Sequence, residues 1–234
     1  VTGSHTRVDP SGSLVHGMGH MLVTPDWLPL SDEEVRAVLG GYEQTNGGLK
    51  SSDAVVVWQS PRPMSAASLV RVGGSSVFVK RHHRAVRTPH QLRVEHAFAS
   101  HLRTRGQPVP RVFTRHDGTT VVEAGDFVYE VHEPIVGADL YRHAVSWSPF
   151  RSLDHARAAG RALAAFHAAA RGFPLPSRAA GVLISSTVIV GAADPQAALQ
   201  RLLDSRPGLA RAVGDLDEQV LAFLGSHVCR PLFL

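Results

Sequence analysis

The sequence predicts an α+β fold: a five-stranded antiparallel sheet carrying one helix, followed by an incomplete helical region. Three observations predict it. Short β-branched runs separated by turn residues fill residues 54–132. A single capped helix, opening at Thr88-Pro89, interrupts them. After Gly137 the apolar spacing changes to a helical one, as in the Ala-rich stretch Ser152–Arg171.

Residues 1–30 precede this pattern; the first 25 are rich in Gly, Ser, His and Thr, without periodicity, and are expected to be disordered. Ser31-Asp-Glu-Glu34 is a capping box that opens a helix carrying Val35, Val38 and Leu39, stopped at Gly40-Gly41. Strands are expected at Ala54–Trp58, Ser68–Val72 and Ser75–Arg81, the last two joined by a hairpin turn at Gly73-Gly74. The helix from Pro89 runs to about Arg105. Gly106 ends it, and Pro108 and Pro110 forbid its continuation. Arg111–Thr114 and Thr120–Glu123 read as strands about the turn Arg115–Gly118, and Phe127–His132 follows. Gly181–Ala193 reads as a strand or extended loop. Helices are then expected from Asp194-Pro195 to about Asp204, at Pro207, and over Asp217–Leu224.

Composition bounds the class. The chain of 234 residues is 44% hydrophobic and 19% charged, with a mean hydropathy of −0.02. No apolar run is long enough to cross a bilayer, no export signal is visible, and the single cysteine, Cys229, forbids an internal disulfide. A cytoplasmic protein without a membrane partner is expected. The net charge of +4 invites nucleic acid, but the basic residues are scattered and not interleaved with aromatics, so nucleic acid is not an expected partner. Only two residues are lysine, Lys50 and Lys80, against 22 arginines. A lysine kept mid-strand in such a chain points to a place that needs a compact ammonium.

Glu95 carries the sharpest local signal. It lies on the stripe of Leu92, Phe98, Ala99 and Leu102, where a carboxylate needs a cation. Lys80, on the preceding strand, offers one. The plainer reading puts Glu95 at the stripe's edge and Lys80 on a solvated strand face. A lysine on the third strand held by a glutamate on the next helix is the device by which protein kinases grip ATP phosphates.

From here the resemblance is specific. Ser75–Lys80, Val94-Glu95-His-Ala-Phe98, Gly106-Gln-Pro-Val-Pro110, Tyr129-Glu-Val-His-Glu-Pro-Ile-Val-Gly137 and Ala159–His167 together resemble the aminoglycoside phosphotransferase and choline kinase-like family. The resemblance implies a protein-kinase-like fold with an N-lobe at residues 31–132, a hinge at 133–137 and a partial helical C-lobe at 138–234. It implies an ATP-dependent phosphotransferase acting on a hydroxyl of a small molecule. Lys80 would bind phosphate and Glu95 would hold Lys80. The loop before the second strand would cradle phosphates through Ser65, Ala67 and Ser68, and backbone groups of Glu133 and Ile135 would bond the adenine. Pro134 cannot donate.

The loop at Ser60–Ser68 departs from the kinase pattern in having no glycine, and the larger departure is an absence. The sequence contains no His-x-Asp loop followed by Asn, and Gly214-Asp-Leu-Asp217 has valine where the histidine belongs. The chain therefore reads as a fragment ending before the catalytic loop, with no catalytic residue and no ligands for the Mg2+ that the intact enzyme would use. The alternative is a non-catalytic nucleotide-binding or interaction module. Among the 14 histidines, His82, His83, His96 and His101 lack metal-ligand spacing and are expected to be solvated, as is the Arg81–Arg84 strand end. His167 is expected to be packed.

Overall fold

A computed structural model describes residues 14–16, 22–42, 49–62, 65–141, 144, 148–175, 187–213 and 222. The chain divides into two compact units, Val1–Ser177 and Arg178–Leu234.

The first unit is built on a five-stranded antiparallel sheet. Within the segment expected to be disordered, β1 (Val15–His16) and β2 (Leu22–Val23) form a small ladder of their own. The main strands are β3 (Ala54–Gln59), β4 (Ala66–Val72), β5 (Ser75–His83), β6 (Val122–Ala124) and β7 (Phe127–His132), in the spatial order β3-β4-β5-β7-β6. Gly73 makes the β4–β5 turn with φ of 58°, a conformation a side chain disfavours. Arg111–Thr114, expected as a strand, contributes one bridge, Val112 to His132. The bridge is made by the Phe113 N–H on the Val131 carbonyl at 2.8 Å and the Glu133 N–H on the Arg111 carbonyl at 2.9 Å.

Two helices, not one, sandwich this sheet. Helix α1 (Asp32–Leu39) starts at Ser31, whose hydroxyl accepts from the Glu34 N–H at 3.1 Å. Its apolar stripe, Val35, Val38 and Leu39, packs with Val70, Val72, Val77, Val79, Tyr129 and Val131, one face of the sheet. Fully burying each such side chain contributes about 1.5–3 kcal/mol. Helix α2 (Pro89–Thr104) opens with the full capping box of Thr88 and Gln91. It covers the other face through Leu92, which packs on Val121 and Val128.

Arg81, expected at a solvated strand end, is buried on the α1 face. Its Nη1 donates to Glu34 Oε1 at 2.7 Å, and Tyr129 Oη donates to the same oxygen at 2.7 Å. Helix α3 (Leu153–Ala170) begins at Ser152 and ends before Gly172. It meets α2 where His101 Nε2 donates to the Ala169 carbonyl at 3.1 Å and Phe98 packs edge-on against Phe173. His167 on α3 is exposed, not packed.

The second unit contains α4 (Thr187–Val190), α5 (Pro195–Asp204) and α6 (Pro207–Val213). Thr187–Val190, inside the expected extended stretch, is a helical turn. Asp194 caps α5 by accepting from the Ala197 N–H at 3.0 Å, as its Asp-Pro start predicts. Gly214–Asp217, nearly all of the helix expected at Asp217–Leu224, and Pro231–Leu234 lie outside the described residues. Among the described residues no helix is long and apolar enough to cross a membrane.

Candidate nucleotide site

Strand alternation sorts the site. Residues two apart share a face, so Phe78, Lys80 and His82 of β5 lie with Val128, Glu130 and His132 of β7 on the α2 side. Register then builds cross-strand rows. One row is Trp58, Leu69, Phe78 and His132; the next is Ala67, Lys80 and Glu130. The rows are about 7 Å apart along the strands.

A bulge in β3 aligns the first row. Val56 pairs with Val70 but Trp58 with Leu69, leaving Val57 as the extra residue. Without that insertion Trp58 would face α1. Trp58 and Phe78 have ring centroids 6.4 Å apart, and Phe78 meets His132 edge-on at 6.4 Å. An aromatic strip thus lies beside the ammonium row.

Lys80 does not find its carboxylate where the sequence suggested. Its Nζ lies 3.2 Å from Oε1 of Glu130, directly opposite on β7. Glu95 sits half-buried on the flank of α2, and Arg87 in the loop before that helix donates to its Oε2. The polar helix residue that faces the sheet is His96, one position on and one turn from the buried Leu92.

Glu130 is the hub of the site. Its side chain is only 5% exposed. His82 Nε2 lies 3.0 Å from Oε1, and His96 Nε2 lies 2.6 Å from Oε2. A carboxylate only accepts, so both imidazoles present N–H there. His96 Nδ1 meets the Thr120 hydroxyl at 2.6 Å. His132 Nε2 comes within 3.3 Å of Oε2 but is not aimed for a hydrogen bond. Burial pushes the Glu130 pKa up, yet contacts with His132, His82 and His96 and the Lys80 charge hold it well below the ordinary carboxylate range. Burial lowers the pKa of His82, against the opposing pull of Glu130. His82 and His96, expected to be solvated, are buried parts of this cluster.

The remaining expected residues divide. Ala67 lies opposite Lys80 in register, and Ser65 lies in the preceding loop. Ser68 faces the other way: it is fully buried on the α1 face, and its hydroxyl donates to Gln59 Oε1. That hydroxyl is committed to the fold. A cavity of about 360 Å³ lies against the β3–β4 loop, bounded by Val23, Trp27, Trp58, Pro61, Ser65 and Ala67. The N-terminal ladder therefore forms part of the wall beside this loop.

At residues 133–137, the Glu133 N–H donates to the Arg111 carbonyl at 2.9 Å, and its carboxylate accepts from Arg111 Nε at 2.8 Å. That bond holds the Glu133 pKa below its ordinary range. Ile135 is 77% exposed, and Gly137 has φ of 141°. Glu130, His82 and His132 carry a signal in the sequence that spacing could have found. Lys80-x-His82 and Glu130-x-His132 place polar residues at period two on one face of each strand.

A five-stranded antiparallel sheet with a helix behind it, a mid-strand lysine and an extended exit from the last long strand defines a protein-kinase-like phosphotransferase fold. The sequence model of the phosphotransferase enzyme family matches residues 65–232, and the chain belongs to that family. No curated protein matches it.

Proposed function

We propose that this chain binds ATP on the α2 face of its sheet and serves an ATP-dependent transfer of phosphate to a hydroxyl of a small molecule. The observation that carries the reading is the juxtaposition of the two rows. An aromatic strip ending at His132, immediately before residues 133–137, lies one row from the Lys80 ammonium. The base packs on Trp58 and Phe78, and the phosphates meet Lys80, whose side chain is 29% exposed. Because the Glu133 N–H is already bonded and Pro134 has none, the Ile135 N–H is the backbone donor to the base, with the Glu133 carbonyl as acceptor. Ser65 and the backbone about Ala67 border the phosphates.

ATP supplies the phosphoryl group; the residues described here bind and orient it. Among the described residues no cluster of three His, Cys, Asp or Glu is arranged to hold a metal ion. A second reading keeps the same nucleotide site without transfer. Its motivation is the sequence, which has no His-x-Asp loop with a following Asn. Both readings predict nucleotide binding, and an acceptor-turnover assay separates them.

Calorimetric titration of the chain with ADP and with adenosine tests the site. Binding of ADP at least about tenfold tighter than adenosine is expected, with the difference lost in Lys80→Ala. Equal affinities in the unsubstituted chain would sink the reading.

A further inference from the structure

The kinase device holds its phosphate-binding lysine by a carboxylate on the helix behind the sheet. This protein has a helix in that place, but the helix reaches Lys80 by a different route. Glu130 Oε1 lies 3.2 Å from Lys80 Nζ, and Glu130 Oε2 lies 2.6 Å from Nε2 of His96, a buried α2 residue on the side facing the sheet. Thr120, in the segment preceding β6, meets the other nitrogen of that ring. The helix carboxylate, Glu95, is engaged by Arg87.

We propose that Glu130 and His96 together are the positioning residues of Lys80: α2 holds the lysine through an imidazole and a strand carboxylate in series, not through Glu95. The inference rests on the reading of Lys80 as the phosphate ligand and adds what sets its position. The geometry favours it on two counts. Lys80 and Glu130 are directly opposed in a ladder, so their separation is set by backbone pairing and not by how a helix docks. His82 occupies Oε1 alongside Lys80, and His96 occupies Oε2, so the carboxylate is fixed from two elements. A buried carboxylate so bonded stays charged and does not rotate freely, which is what a positioning residue requires. His132 at 3.3 Å completes the enclosure from the next position on the same face.

The lysine count makes a direct test available. With Lys50 and Lys80 as the only lysines, side-chain 13C,15N-lysine labelling yields two Cε–Nζ signals. In the full chain the Lys80 signal is expected to show a through-space contact to the Glu130 γ-protons. Glu130→Gln and His96→Phe should both move it, and Glu95→Gln should not, with Lys50 unmoved throughout. The ADP dissociation constant should rise at least about tenfold in Glu130→Gln, while that for adenosine changes less than about twofold. A Lys80 signal that follows Glu95→Gln and ignores Glu130→Gln in a folded protein would overturn the proposal. If Glu130→Gln does not fold, the contact in the unsubstituted chain decides: Glu95 γ-protons in place of those of Glu130 would overturn it equally. Titration with ADP separates the underlying reading. A Lys80 signal that shifts with ADP and not with adenosine supports both. Indifference to ADP would overturn the phosphate role, and with it the positioning function, while the proton contact still reports whether the Glu130 hold exists.

Discussion

Lys80 and Glu130 face each other across the β5–β7 ladder, Nζ to Oε1 at 3.2 Å, inside a ring of three imidazoles. The consequence for binding is direct. Lys80→Ala removes a charge-assisted contact to phosphate worth about 1.5–3 kcal/mol, roughly a ten- to hundredfold loss in ADP affinity. Calorimetry should show that loss with far-UV circular dichroism unchanged. In any active form of the protein, turnover should fall by at least the same factor.

The cluster also makes the fold acid-sensitive. His82 is depressed below its ordinary 6.5, so below that pH the unfolded chain takes up a proton that the folded one refuses. Glu130 is held well below its ordinary 4.5, so a second uptake by the unfolded chain begins there. Both proton uptakes act in the same direction: stability is full above about pH 6.5 and falls as the solution is acidified. Urea midpoints measured from pH 8 to pH 4 should decline below 6.5, and His82→Gln should flatten the decline between 6.5 and 5. Midpoints rising on acidification would contradict the assignment.

Arg81 and Glu34 fasten α1 to the sheet. Glu34→Gln leaves the buried guanidinium of Arg81 without its counter-charge and should cost about 2–4 kcal/mol, less than a fully enclosed pair because Glu34 is 24% exposed. Tyr129→Phe, which removes a hydrogen bond to the same carboxylate but leaves the ion pair in place, should cost less, about 1.5 kcal/mol. Equal costs in denaturant titrations would mean that the guanidinium finds water when its partner is lost.

Leu92 is the fully buried contact of α2 with Val121 and Val128. Leu92→Ala should destabilise by about 2–5 kcal/mol. Because His96 lies one turn further along the same helix, the substitution should also lower ADP affinity, whereas Val38→Ala on the opposite face should lower stability alone.

Elements set by local chemistry were legible in the residues. Ser31, Thr88 and Asp194 each cap the helix they predict, and Gly73 sits in the turn its φ requires, because caps and turns depend on neighbours a few positions away. Lys80 stood out as a rare ammonium kept mid-strand in a chain with only two lysines. What the residues left open was which carboxylate it meets. Glu95 and Glu130 are both near enough in topology, and the choice depends on Arg87 reaching one and on strand register delivering the other. The same holds for Ser68, whose face follows from β4 register, and for Trp58, which a single inserted residue turns toward the lysine. Alternation predicts which residues share a face within one strand. Only the tertiary structure decides what stands opposite, because pairing and helix docking join residues dozens of positions apart, and there Glu130 came to Lys80.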